Sequence, residues 1–152
     1  MIKDKHDKLA QYRKDGVVKD GERFIIAIYG RGIPAAAWGD DIPYAAQAVF
    51  PIGPYTVTID MESQEVVDQG YSHRPVIEKK SGSSVPTTSF LESEFSDVSA
   101  IVSGNPDPIE MSNPPLILIH NPKAENPMLM GWLKRGIEYW VEGNKLRHRN
   151  LS

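Results

Sequence analysis

The chain has 152 residues, 40% of them hydrophobic and 24% charged, the size and balance of one ordinary globular domain, which excludes global disorder and fibrous repeats. Cysteine is absent, so a disulfide framework and any Cys-ligated zinc or iron–sulfur site are excluded. The formal net charge is −3, which argues against a globally basic nucleic-acid binder.

Taken from the N-terminus, Met1-Ile-Lys-Asp-Lys-His-Asp-Lys8 lacks the apolar stretch of a secretory signal. Residues 2–14 read as a weakly amphipathic helix with Ile2, Leu9 and Tyr12 on one stripe. Gly16 stops it, and Lys19-Asp-Gly21 turns the chain. Phe24-Ile-Ile-Ala-Ile-Tyr29 is a continuous apolar run, which predicts a central strand buried on both faces. It is far shorter than the ~20 residues that span a bilayer. Gly30-Arg-Gly-Ile-Pro34 ends the run, and Pro43–Val49 suits a short helix capped by Asp41.

Tyr55-Thr-Val-Thr-Ile-Asp60 alternates cleanly, which predicts a strand with Tyr55, Val57 and Ile59 facing inward. Val66–Gln69 and Pro75–Lys79 read as further strands of the same sheet, and Asp97–Val102 and Leu116–Ile119 as two buried ones. Ile137–Glu142, Gly143-Asn144 and Lys145–Arg149 form the pattern of a terminal hairpin. With 14 Ile and 11 Val against 8 Leu, the apolar residues favour pleated surfaces over helices. The expectation is a single α+β domain over residues 1–152. Its mixed, largely antiparallel sheet would have six or seven short strands, accompanied by two or three helices.

Charge is unevenly spread. Residues 1–23 hold seven Lys/Arg against five Asp/Glu (+2), residues 24–122 four against twelve (−8), and residues 123–152 six against three (+3), which sums to −3. Ends that meet in space would place a small basic face on an acidic body.

Two constellations could carry chemistry. Asp60 with Glu78 and Lys80 matches the PD-(D/E)xK pattern of metal-dependent nucleases, in which two carboxylates hold Mg²⁺ and a lysine stabilises charge near the attacking water. Period-two geometry would place Glu78 and Lys80 on one strand face. No proline precedes Asp60, however, and Lys79-Lys80 runs into Ser81-Gly-Ser-Ser84, as at a solvated strand tip. The second constellation is His120-Asn-Pro-Lys-Ala-Glu-Asn-Pro127, directly after a buried strand. His120, Asn121 and Asn126 could line a ligand pocket at the strand's carboxyl end. They could equally anchor a proline-rich loop by bonding its backbone.

Weaker signals complete the survey. His6, His73, His120 and His148 lack metal-ligand spacing, and no metal or other cofactor is expected. Gly30-Arg-Gly32 lacks the rest of a phosphate loop. Trp132, Tyr139 and Trp140 could stack bases beside Lys134, Arg135, Arg147 and Arg149, although strand aromatics more often anchor cores or interfaces. Tyr139 and Trp140 on the terminal hairpin predict a homodimer interface.

Phe90-Leu91, Val98-Ser-Ala-Ile-Val102, Ile117-Leu-Ile-His120-Asn-Pro-x-Ala124-x-Asn-Pro127 and Gly136-x-Glu138-Tyr139-Trp140 resemble a recurring C-terminal segment of uncharacterised bacterial proteins. Some of those look like restriction-endonuclease relatives. Asp4-Lys5-His6, Lys8-Leu9 and Phe24–Ile28 look like the helix and strand that follow the catalytic motifs there. The resemblance implies that the acidic catalytic motif would lie upstream of Met1. The expected function is therefore a non-catalytic binding or interaction module related to the non-catalytic part of a nuclease-like protein. A small PD-(D/E)xK-type nuclease and a small-molecule binder or enzyme with a pocket at the His120 loop are the alternatives. The expected setting is cytoplasmic, without membrane contact. A homodimer is the expected partner, with weak nucleic-acid or protein binding besides.

Overall fold

The computed structural model describes residues 2–29, 42–104 and 115–152. Its backbone is α+β, with a mixed five-stranded sheet and two small two-stranded ones. The N-terminal segment forms two short helices, α1 (Ile2–Asp7) and α2 (Leu9–Lys14), broken at Lys8 where a single helix was expected. The narrow apolar stripe is used as read. Leu9 is buried, Ile2 packs on the core, and the Tyr12 ring meets Phe24. Helix α3 (Tyr44–Gln47) starts after Pro43 and buries Ala45 and Ala46. Asp41, its expected cap, and the Gly30-Arg-Gly32 turn lie outside the described residues.

The main sheet runs β1 (Ile25–Tyr29), β6 (Ala100–Gly104), β7 (Ile117–His120), β8 (Gly136–Glu142), β9 (Lys145–Leu151) in spatial order. The pairings alternate: β1–β6 and β7–β8 are parallel, β6–β7 and β8–β9 antiparallel. The expected central position of Phe24–Tyr29 is corrected here. β1 is an edge strand on β6, and Ala27 and Tyr29 stand exposed. A continuous apolar run reports burial of some kind and does not distinguish a central strand from an edge that packs on one side.

The sheet separates two apolar layers. On one face, Ile26, Ile101, Ile119 and Tyr139 form a row in register, packed under α3, Val49, Phe50, Phe90 and Val98. On the other, Ala100 and Leu118 pack with Met128 and Leu133 of the long β7–β8 connection, with Ile25, Val102 and Leu151 at the margin. Tyr139 is thus a core residue with its ring against His148, and its proposed role at an interface is corrected by that burial. Trp140, on the opposite face of β8, is half-buried. The outer edge of the sheet is the charged strand β9, not the aromatic strand β8.

The second correction concerns the segment between α3 and β6. Among the described residues, strands β2 (Ile52–Ile59) and β3 (Val66–His73) pair only with each other, and β4 (Val76–Glu78) pairs only with β5 (Ser84–Pro86). They were expected in one sheet with the rest. Ile52 still belongs to the α3-side core, and Arg74 ties the hairpin base to α3 by donating to Gln47 Oε1 at 2.9 Å. Beyond that base the ribbon leaves the body. Tyr55, Val57 and Ile59 are consequently 49%, 49% and 52% exposed rather than inward. No helix among the described residues is long and apolar enough to cross a membrane.

Candidate functional site

Asp60, Glu78 and Lys80 occupy separate pieces of local structure. Asp60 caps the β2–β3 turn, its Oδ1 accepting the N–H groups of Glu62 at 2.8 Å and Ser63 at 2.9 Å. Those backbone donors, Ser63 first and Glu62 next, hold the Asp60 carboxyl below the ordinary carboxylate range. Glu78 ends β4 in another sheet, opposite Ser84. Lys80 lies in the β4–β5 turn, so the strand does not carry it onto the face of Glu78. Among the described residues, no group of three or more His, Asp or Glu side chains could hold a metal ion.

The His120–Pro127 loop is a clasp. Its buried Asn121 donates through Nδ2 to the carbonyls of Phe95 and Val98, both at 2.8 Å, and accepts the Lys123 N–H through Oδ1 at 2.9 Å. An amide can satisfy two carbonyls and one N–H at once because it carries both donors and an acceptor. Ser99 extends the clasp, with Oγ donating to the Asn126 carbonyl at 2.6 Å and accepting the Phe24 N–H at 3.1 Å. Arg23 Nε reaches the Pro127 carbonyl at 2.8 Å. Of the two readings of this loop, the bonds of Asn121 match the structural anchor. Asn126 enters through its backbone carbonyl.

His120 points away from that clasp to the second core. The β6–β9 register aligns Val102, Leu118, Glu138 and Arg149 in one cross-sheet row, with His120 one pleat further along β7 on the same face. Glu138 is completely buried in this apolar layer. Arg149 lies directly opposite and donates to Glu138 Oε2 through Nε at 2.9 Å and Nη2 at 2.6 Å. The Gly131 N–H, from the connection that covers this face, reaches Oε1 at 2.9 Å and Oε2 at 3.1 Å. Gly131 has φ +77°, so its backbone can turn this N–H inward at a conformation costly for other residues.

His120 Nε2 lies 3.8 Å from Glu138 Oε1, too far for a hydrogen bond, and makes none in the structure. Burial lowers the His120 pKa from its ordinary value, and the facing Glu138 charge opposes that shift only in part. The arrangement is a buried carboxylate neutralised by one guanidinium and one backbone N–H, beside a neutral imidazole. It locks the β7–β8 connection onto the sheet.

The sequence reading missed the Glu138–Arg149 pair, although a signal existed. A two-residue turn at Gly143-Asn144 sets Glu142 opposite Lys145, so stepping outward sets Trp140 opposite Arg147 and Glu138 opposite Arg149. A carboxylate inside the apolar run Ile137-Glu-Tyr-Trp-Val141 with arginine across from it is the mark of a buried pair.

The remaining surface has two unlike patches. The hairpin presents Tyr55, Val57, Ile59, Met61, Val66 and Val67 to solvent, with Thr56, Thr58 and Asp68 on its polar side. The connection over the second core presents Leu129, Met130 and Trp132, next to the exposed Lys134 and Arg135 and the basic edge strand β9. No protein-family model, curated protein or solved structure matches the chain.

Proposed function

We propose that the chain is a non-catalytic interaction module, related to the non-catalytic part of a nuclease-like protein, which holds a polypeptide partner on the apolar face of its β2–β3 hairpin. The half exposure of Tyr55, Val57 and Ile59 carries this reading. Their clean alternation is the pattern of a face that something covers, and a two-stranded ribbon alone is marginally stable in water. A group of exposed apolar side chains of this size marks a contact surface more often than accident.

The chemistry of the partner follows from the hairpin's charge. Between residues 52 and 73 the sequence has Asp60, Glu62, Glu65 and Asp68 and no Lys or Arg. An apolar surface rimmed by basic groups therefore complements it, since matched potentials guide encounter and reject like-charged competitors. The lack of convergence among Asp60, Glu78 and Lys80 supports the non-catalytic side of the reading, as does the engagement of Asn121 within its own loop.

A fluorescent strand-forming peptide alternating Val or Tyr with Lys or Arg tests the proposal by anisotropy. Micromolar binding is expected, weakened at least about tenfold by the pair Tyr55→Ser and Val57→Ser. Unchanged affinity in that variant, or no binding by the parent chain, overturns the hairpin reading. Mg²⁺-dependent cleavage of duplex DNA that is lost in Glu78→Ala overturns the non-catalytic reading.

A further inference from the structure

The hairpin and the basic face of this same chain complement one another, and we infer that the partner is a second copy: the β2–β3 hairpin of one copy docks on the Leu129–Arg135 connection and β9 edge of another. This inference rests on the hairpin being a docking surface. Both patches have apolar centres, Tyr55, Val57, Ile59 and Val66 on one and Leu129, Met130 and Trp132 on the other. Their charges are opposite. Residues 52–73 hold four acidic and no basic side chains (−4), whereas residues 129–151 hold Lys134, Arg135, Lys145, Arg147 and Arg149 against Glu138 and Glu142 (+3).

The fold keeps the two patches of one copy apart. The hairpin springs from Ile52, which packs in the α3-side core. The 129–135 connection lies over the opposite face of the sheet, pinned by Met128 and Leu133 in the second core. A chain therefore satisfies its hairpin with another chain's basic face. Two copies related by a two-fold axis do this reciprocally, with hairpin on face and face on hairpin, and the assembly closes.

The hairpin exposes Tyr55, Val57, Ile59, Met61, Val66 and Val67, whereas a standard interface needs about 800 Å² from each partner. A reciprocal dimer takes both patches from each copy, adding Leu129, Met130 and Trp132 to the hairpin side chains. The contact differs from one through Tyr139, which is buried inside the monomer.

Charge reversal gives a test that a merely structural role cannot imitate. One variant carries Glu62→Lys and Glu65→Lys in the hairpin, and the other Lys134→Glu and Arg135→Glu in the basic face; all four side chains are exposed. Light scattering at tens of micromolar should give twice the 17.0 kDa chain mass for the parent protein. Each variant alone should be monomeric, because the hairpin charge then falls from −4 to 0 or the face charge from +3 to −1, and the attraction between them is lost. An equimolar mixture should recover the dimer, since one hairpin–face contact of the mixed pair again joins −4 to +3 and the other sets the two introduced lysines against the two introduced glutamates.

Circular dichroism checks folding, and if either variant is unfolded the pair Asp68→Lys and Lys145→Glu replaces it. A monomeric parent protein, or a mixture that stays monomeric, overturns self-docking. The hairpin reading fails separately, when the basic peptide binds the Tyr55→Ser, Val57→Ser variant as well as the parent.

Discussion

The Glu138–Arg149 pair should show an asymmetric cost when its two members are removed in turn. Glu138 has 0% side-chain exposure and Arg149 has 42%. In Arg149→Met the carboxylate stays in the apolar layer with the Gly131 N–H bonded to it and the His120 imidazole 3.8 Å away. Removing one partner of a buried pair costs about 3–5 kcal/mol, and the surviving backbone donor places this case near the lower end. In Glu138→Met the guanidinium turns outward to water, and the main loss is an acceptor for the Gly131 N–H, worth about 1–2 kcal/mol.

The double variant removes the stranded charge and should be more stable than Arg149→Met alone. For a domain of this length about 2–4 °C accompanies each kcal/mol, so Arg149→Met should melt roughly 6–12 °C below the parent protein. Urea unfolding followed by tryptophan fluorescence, with calorimetry for the melting points, measures all four corners of the cycle. Glu138→Met costing more than Arg149→Met would refute the reasoning, as would a double variant whose loss equals the sum of the singles.

Three further outcomes are expected. Gly136→Ala should cost at least about 3 kcal/mol, because Gly136 has φ +134° and a Cβ there would fall on the Leu116 carbonyl oxygen and 2.8 Å from Leu133 Cδ2; a urea midpoint within error of the parent's would count against the packing described. Asn121→Ala should cost about 1–3 kcal/mol by orphaning the Val98 carbonyl and leaving the Phe95 carbonyl with the Val98 N–H alone, and faster amide exchange at Lys123 would locate the loss in the clasp. The lowered His120 pKa means that the unfolded chain takes up its proton first. Stability is therefore full above about pH 6.5 and declines as pH falls through that value toward the folded pKa. Urea midpoints should show this decline, and His120→Leu should flatten it; an imidazole that titrates by NMR above its ordinary value would reverse the sign.

Much of the local structure was legible in the chain. The β-branched runs at Val98–Val102 and Leu116–Ile119 overlap the strands Ala100–Gly104 and Ile117–His120, and the Gly143-Asn144 turn makes the terminal hairpin and fixes its register. These features depend on neighbours in sequence, so short-range sterics and turn chemistry determine them. Alternation in Tyr55–Ile59 likewise showed which residues share a face. Whether a layer covers that face is a separate question, settled by where β2 leaves the body after Gly53 and pairs, among the described residues, with β3 alone.

The edge position of β1 has the same origin, since an apolar run is compatible with any slot in the sheet order. The His120–Pro127 loop was correctly marked as a place where polar side chains matter, and its Asn121 bonds to Phe95 and Val98 depend on a segment more than twenty residues away. Glu138 became a buried carboxylate only when β7, β8 and β9 were set side by side and the 121–135 connection folded over them. Sequence determined the elements and their faces because those follow from local geometry. The tertiary structure decided which faces are covered, because burial depends on the packing of distant segments.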